Sequence, residues 1–333
     1  MRNITVFPVL VIILICAHYA NAQEHKSFPY TFSTSANFGM LYGHAEEIVF
    51  PYAEHKAEKL SQLLWDIKPV FYYGLSLNFS RIDPLDKWGF FADISLKNAI
   101  LSRCGRMEDR DWMSTENNLL THYSAHDNVI NNLFLTDIYT GASFPIKGFL
   151  LIKPHINISL MHLAFSAQYG YGLYAEDHKD GTYGPFSEAV RHSWEDWDKV
   201  VNYTQRWFSF GTGFSFGYYF LDHFSAELSF RINPLVLCND LDEHLTTNKS
   251  SGQYSSFRDY MRGGIFIEPG AQLSWFITKR LELSMNLSWR YVSGTRGDTW
   301  GAITVGSADY MNIGEAGAGL SFIDWGLCLK LRF

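Results

Sequence analysis

The chain alternates. From Leu281 to Tyr291 every odd position is apolar and every even one is polar. Phe224 to Ile232 alternates the same way with even positions apolar, and Phe208 to Phe220 carries aromatics at 208, 210, 214, 216, 218 and 220. Counting back from Phe333, Leu331, Leu329, Leu327, Trp325 and Ile323 share one face, while Arg332, Lys330, Cys328, Gly326 and Asp324 share the other. A period of two is the strand period. The pattern predicts about ten strands, at roughly 30–48, 59–79, 87–107, 129–151, 156–175, 199–221, 223–241, 258–278, 280–297 and 315–333. Short turns are predicted at Asp83-Pro84, Lys153-Pro154, Leu221-Asp222 and Thr278-Lys279. Longer polar connections fall near 49–58, 108–128, 176–198, 242–257 and 298–314.

The first residues read as an export signal. Arg2 precedes an apolar core from Val6 to Ala17, and Ala20-Asn21-Ala22 forms a cleavage site of the A-x-A type. Residues 1–22 are assigned to that signal and 23–333 to a single β-barrel domain. The rest of the chain has no run of about 18 apolar residues, so no spanning helix is expected. Yet 47% of residues are hydrophobic and 17% aromatic. An export signal, long alternating strands and a terminal aromatic together predict an antiparallel transmembrane β-barrel of the bacterial outer membrane. A strand of about 20 residues rises about 66 Å, or about 45 Å when tilted, against an apolar band of about 25 Å. The barrel should therefore protrude on the extracellular side, where the long loops belong.

Two acidic pairs lie at that end. In Asp109-Arg110-Asp111 and in Asp240-Leu241-Asp242-Glu243-His244, residues two apart share a strand face. A carboxylate beside an imidazole fixes its tautomer and raises its basicity, as a general base acting on water requires. Two such groups facing one another would make a hydrolytic site without a covalent nucleophile. Phase agrees for Glu47, and for Asp109 and Asp111, which point inward if Phe38, Tyr42, Trp88 and Phe90 face lipid. The seventh strand conflicts. Its even residues face lipid up to Ile232, so Asp240 and Asp242 point inward only if Asn233-Pro234 carries a bulge. Hydrated rim charges are the plain alternative reading of these acids.

Composition removes some classes. A net charge of −7 argues against nucleic acid as a partner. Without the signal the cysteines are Cys104, Cys238 and Cys328, an odd number with no metal-type spacing. Among twelve histidines the H-E-x-x-H pattern is absent, and His44, His55, His122 and His126 read as solvated residues near the loops.

The blocks Glu47-Ile48-Val49-Phe50, Lys59 to Trp65, Asp109 to Met113, Ile146 to Leu151 with Pro154, Tyr203 to Trp207, and Asp240 to His244 occur in an order that resembles the omptins, ten-stranded outer-membrane proteases of bacteria. The resemblance covers most of the mature chain. It implies a catalytic carboxylate pair at Asp109 and Asp111, an Asp-His dyad at Asp242 and His244, and selection of a basic side chain before the cut bond by Glu47 and Asp240. It also implies binding of lipopolysaccharide, or another outer-membrane lipid, as an activator through Arg206. Two departures stand out. His122 falls where the family carries an acid that favours a basic residue after the cut bond, and Gln168 falls where a second lipid-binding arginine is expected.

The leading expectation is thus an endopeptidase that cleaves polypeptides after basic residues, Arg before Lys, with no cofactor. It is expected to be a monomer with its site on the extracellular side. The alternatives are a non-enzymatic barrel serving as adhesin, receptor or pore, and a metal site built from Asp240, Asp242 and His244.

Overall fold

Alternation of apolar and polar side chains closes the chain into a ring of antiparallel strands. The computed structural model describes residues 29–51, 56–196, 199–221, 223–248, 253–302 and 310–333. The expected export signal and His55 lie outside them. The strands are β1 (Tyr30–Val49), β2 (Ser61–Arg81), β3 (Gly89–Ala99), β4 (Ser102–Asp111), β5 (His122–Ile146), β6 (Leu150–Tyr174), β7 (Val190–Ser193), β8 (Val201–Phe220), β9 (Phe224–Asn248), β10 (Gln253–Arg262), β11 (Phe266–Phe276), β12 (Leu281–Ala302) and β13 (Tyr310–Arg332). β3 with β4, and β10 with β11, each make one interrupted long strand, so the ring has ten rungs. β13 pairs back onto β1, with Ser33 opposite Arg332 and Val49 opposite Ala316, and the barrel closes.

The outside is apolar. Leu283, Met285, Leu287, Trp289 and Tyr291 of β12 are exposed, whereas Glu282, Ser284 and Arg290 between them are buried. This inverts the arrangement of a water-soluble protein and is what lipid requires. On β1 the exposed apolar residues are Phe32, Phe38 and Tyr42, and on β9 they run from Leu228 to Leu237. Glu47, Asp240, Asp242 and His244 lie beyond these bands along their strands.

Register slips decide which side chains enter the upper lumen. On β9, Ile232 faces Thr212 but Leu235 faces Phe210, so three steps on β9 span two on β8. This is the bulge at Asn233-Pro234 that the sequence required. Above it the phase inverts: Leu235 and Leu237 turn outward, Asp240 and Asp242 inward. The third long strand slips twice. Ile100, Leu101 and Arg103 are exposed and Cys104 is buried; then Gly105, at a φ of 105°, restores the original phase. The two slips cancel, which is why parity counted from Trp88 and Phe90 places Asp109 and Asp111 correctly.

Several expected boundaries move. The turn expected at Lys153-Pro154 is instead Lys147-Gly148, with φ of 54° and 73°, and Pro154 lies inside β6. β9 continues through His244 to Asn248, and β10 begins at Gln253 rather than 258, so the acid and histidine stretch is strand and not loop. The loop expected at 108–128 shortens to 112–121, and that near 176–198 holds a short 3-10 turn and β7.

The lumen is filled in layers. Low in the barrel, Arg231 Nη1 reaches Asp137 at 3.0 Å and Arg290 Nη2 reaches the same carboxylate at 2.9 Å. Arg290 Nε meets Glu268 at 2.6 Å, and Arg231 also pairs with Glu268. These four residues come from β5, β9, β11 and β12, so the quartet ties opposite walls together. Above it lies an apolar layer that includes Leu41, Ile67, Ile130, Leu133, Leu163 and Val236. Trp65 caps this layer, stacked on Tyr203 at 5.2 Å and on Phe165 at 5.6 Å.

Removing one member of the quartet leaves a buried charge without its partner, which costs about 3–5 kcal/mol. Arg231→Met is therefore expected to lower the unfolding free energy of the purified barrel in detergent by an amount of that order. A loss below about 1 kcal/mol would show that the quartet does not brace the walls.

Candidate active site

Above Trp65 two polar walls line the upper lumen. One wall is built by β2 and β4. Ser61 lies opposite Asp111 and Leu63 opposite Asp109 in register, and the Ser61 hydroxyl donates to Asp109 Oδ1 at 3.0 Å. The other wall is β9, where Asp242 Oδ2 meets His244 Nε2 at 2.5 Å. The i, i+2 spacing brings those two together, as the sequence indicated. With the Nε2 proton held by buried Asp242, the neutral ring keeps its basic lone pair on Nδ1.

The two walls feel one another. Burial pushes the Asp109 carboxyl well above the ordinary carboxylate range, and the charge of Asp111 adds to this. Asp111 is raised by burial to about 6, although Ser61, His244 and Asp109 favour its ionised form. For His244 burial opposes the charged ring. The charge and hydrogen bond of Asp242, with Asp109 and Asp111 across the cleft, outweigh it and raise the imidazole to about 9. Two close carboxyls that resist joint ionisation share a proton and titrate as a pair.

Beside the dyad lies an acidic pocket. Glu47 from β1 and Asp240 from β9 are both 4% exposed. A ladder of hydrogen bonds on β8 supports Asp240. Trp207 Nε1 donates to Gln205 Oε1 at 3.0 Å, Gln205 Nε2 donates to the Tyr203 hydroxyl at 2.9 Å, and Tyr203 donates to Asp240 Oδ2 at 2.8 Å. Gln205 Nε2 also reaches the carbonyl oxygen of Glu46 at 2.9 Å, which ties β8 to the strand that carries Glu47. Burial, then Asp242, Asp240, Asp259 and Asp109, hold the Glu47 carboxyl well above its usual range. One oxygen on each of Glu47, Asp240, Asp242 and Asp259 is buried without a hydrogen-bond donor.

Asp259 was not singled out in the sequence. It stands alone between Arg258 and Tyr260, without a neighbouring acid two positions away, and only strand pairing sets it opposite Asp240. Tyr203 and Gln205 were visible as part of a block, but their hydrogen-bonded ladder was not. Alternation along β8, with Tyr203, Gln205 and Trp207 all buried, was the available signal.

His122 is the cross-strand neighbour of Asp111 and of Tyr174. Its ring lies 4.8 Å from Tyr174 and 5.5 Å from Tyr183, and burial lowers its basicity. It is thus half-buried in an aromatic platform rather than fully solvated. His126 is likewise buried, hydrogen-bonded to Ser124. Arg206 points away from the cleft onto the outer wall, in a groove also lined by Leu237, Tyr260, Arg262 and Arg296. Its neighbour on β6 is His162, while Gln168 sits six residues further along that strand. Among the described residues no cluster of His, Cys, Asp and Glu has the arrangement to hold a metal ion.

A ten-rung transmembrane barrel with an Asp-His dyad facing a carboxylate pair is the class that the fold and the cleft define. The sequence matches the model of the Omptin family over residues 28–333, and the chain belongs to that family. It is 25% identical over 301 residues to Protease 7 of Escherichia coli strain K12, covering 87% of each chain, and equally so to Protease 7 of Escherichia coli O157:H7. The fold matches the crystal structure of the outer membrane protease OmpT from Escherichia coli with a TM-score of 0.80. That alignment has 18% identity and covers 93% of this chain and 99% of that one.

The electrostatic coupling is open to measurement. Because Asp109 and Asp111 raise the His244 imidazole, Asp109→Asn should move its titration downward from about 9. The shift can be followed by NMR of ring-labelled histidine in detergent micelles. An unchanged or higher midpoint would mean that the two walls do not interact.

Proposed function

We propose that this omptin hydrolyses peptide bonds after basic residues, using a water activated by His244. The observation that carries the reading is the pairing of an Asp242-His244 dyad, its carboxylate buried and its imidazole partly open, with the Asp109-Asp111 pair beside a pocket of unpartnered carboxylate oxygens. His244, in its neutral form, takes a proton from water through Nδ1 as that water attacks the carbonyl carbon. Asp242 stabilises the imidazolium that results. Asp109 and Asp111 hold the same water from the other wall and share one proton between them. When the tetrahedral intermediate collapses, His244 returns a proton to the departing amine, and the C–N bond breaks. The step consumes one water and needs no metal or covalent intermediate.

Glu47 and Asp240 would receive the side chain before the cut bond. A guanidinium offers five donors in a planar fork that two carboxylates can satisfy, while an ammonium is a compact charge with three. Arg is therefore favoured over Lys. After the cut bond, His122 on its aromatic platform carries no negative charge, so a basic residue is not demanded there. The pore reading meets a lumen closed by the ion quartet and the apolar layer. An adhesin needs no dyad and gives no reason to bury acids without donors.

The barrel belongs in the outer membrane, with the cleft on the side of the long connections, facing the exterior. The outer groove around Arg206 is read as a seat for an anionic lipid headgroup, lipopolysaccharide or another, that steadies the upper strands.

His244→Ala is expected to lower the rate on an arginine peptide about 10²–10⁴-fold while the barrel stays folded. Chelators should leave the parent rate unchanged. Parent activity in His244→Ala would remove the mechanism. For the lipid, Arg206→Ala alone should reduce lipid stimulation less than about tenfold, because Arg262 and Arg296 face the same groove. Complete loss of stimulation in that single variant would show that Arg206 acts alone.

A further inference from the structure

We propose that Asp259 is a third specificity-determining carboxylate of the acidic pocket, and that it makes capture of an arginine side chain expel a proton. This rests on the peptidase reading above, since it names how the same pocket recognises its residue.

Asp259 reaches the pocket from a third direction. It lies on β10 directly opposite Asp240 of β9. Arg258, Tyr260 and Arg262 on either side of it are exposed on the outer wall, so Asp259 and Met261 face the lumen. The Asp259 side chain is part of a residue only 5% exposed, and its Oδ1 has no donor. Like charges directly opposite one another on a sheet are destabilising. A pairing this costly persists where function requires it or where a proton relieves it.

The charges that act on it most strongly are all negative, with the His244 imidazole beyond Asp242. Asp240 and Asp242 face it from β9, Glu47 from β1 and Glu315 from β13, while Thr299 of β12 hydrogen-bonds to its carboxylate. Tyr203 of β8 occupies the far oxygen of Asp240. Among the described residues, none of Glu47, Asp240 and Asp259 forms an ion pair. The empty pocket therefore relieves its repulsion by protonation. Burial, reinforced by Asp242 and Glu315 and opposed by hydrogen bonds with Thr299 and Asp240, raises the Asp259 carboxyl to about 7, and burial with the charge of Asp259 raises Asp240 as well.

An arriving guanidinium replaces that proton. Its donors point in three directions within one plane, toward the unpartnered oxygens of Glu47, Asp240 and Asp259. An ammonium cannot span three walls with the same geometry. Binding of the cation to the ionised pocket releases to solvent the proton that Asp259 shares with Asp240. The sign follows: substrate capture strengthens as pH rises through about 7 and weakens below it, where the proton must be removed first.

The test compares the parent, Asp259→Asn and Asp259→Glu as full-length barrels in lipid, each verified as folded by its heat-dependent gel mobility. Matched peptides carrying Arg or Lys before the cut bond are assayed from about pH 5.5 to 8.5. The parent KM for the Arg peptide should fall about tenfold per pH unit below 7 and level off above it. Asp259→Asn should flatten that limb, raise KM for the Arg peptide about tenfold or more at pH 8, and change kcat far less. The preference for Arg over Lys should shrink with it, and Asp259→Glu should restore the limb. A parent that cuts after Arg, with an Asp259→Asn variant of unchanged KM, preference and pH limb, overturns the role of Asp259 alone. A parent that does not cut after Arg overturns the peptidase reading beneath it.

Discussion

Excess negative charge, buried and left without donors, is the constraint around which the upper barrel is arranged. Four carboxyl groups, on Glu47, Asp240, Asp242 and Asp259, each keep a buried oxygen unpartnered. An unsatisfied buried polar atom costs about 1–3 kcal/mol, and more if charged. The chain contains that cost in three ways. The acids lie beyond the band of exposed apolar residues on β1 and β9, so they are not set against hydrocarbon. Protons shared within the carboxyl clusters reduce the repulsion. The lower barrel supplies rigidity through the Asp137-Arg231-Glu268-Arg290 quartet and the apolar layer over it. A destabilised site on a braced scaffold is the usual arrangement where function opposes stability.

The same constraint explains the support beneath the acids. The ladder from Trp207 through Gln205 and Tyr203 to Asp240 fixes one carboxylate oxygen and leaves the other to a ligand. Trp65 stacks on Tyr203 and holds the ring that carries that hydroxyl. The dyad is organised likewise: Asp242 spends one oxygen on His244 and presents the other unpartnered.

Much of this was legible in the sequence because a strand has an integer period. Alternation located ten strands, and parity placed Glu47, Asp109 and Asp111 inside. For β9 the parity failed unless Pro234 marked a slip, and the slip is there. Parity also succeeded on the third strand by cancellation, since breaks at Ile100-Leu101 and at Gly105 offset each other and neither was foreseen. Pro154 was misleading for a physical reason. Proline usually marks a turn, but here the ladder between β5 and β6 passes from Ile152 to His155 without a bridge at Pro154, so its missing N–H is tolerated within the strand. The actual turn at Lys147-Gly148 needed two residues at positive φ, a weaker signal when the first is a lysine. Asp259 escaped notice because its significance arises between strands: nothing within its own strand distinguishes it from a solvated acid.

The most direct test of the central claim is a map of the bonds that the purified, lipid-embedded protein cuts in a diverse peptide library, read by mass spectrometry. A cation-seeking pocket beside a water-activating dyad predicts cuts that follow arginine first and lysine second, almost never an acidic residue, with or without chelator. Cleavage indifferent to the preceding residue, or no cleavage by a barrel shown to be folded, would contradict it.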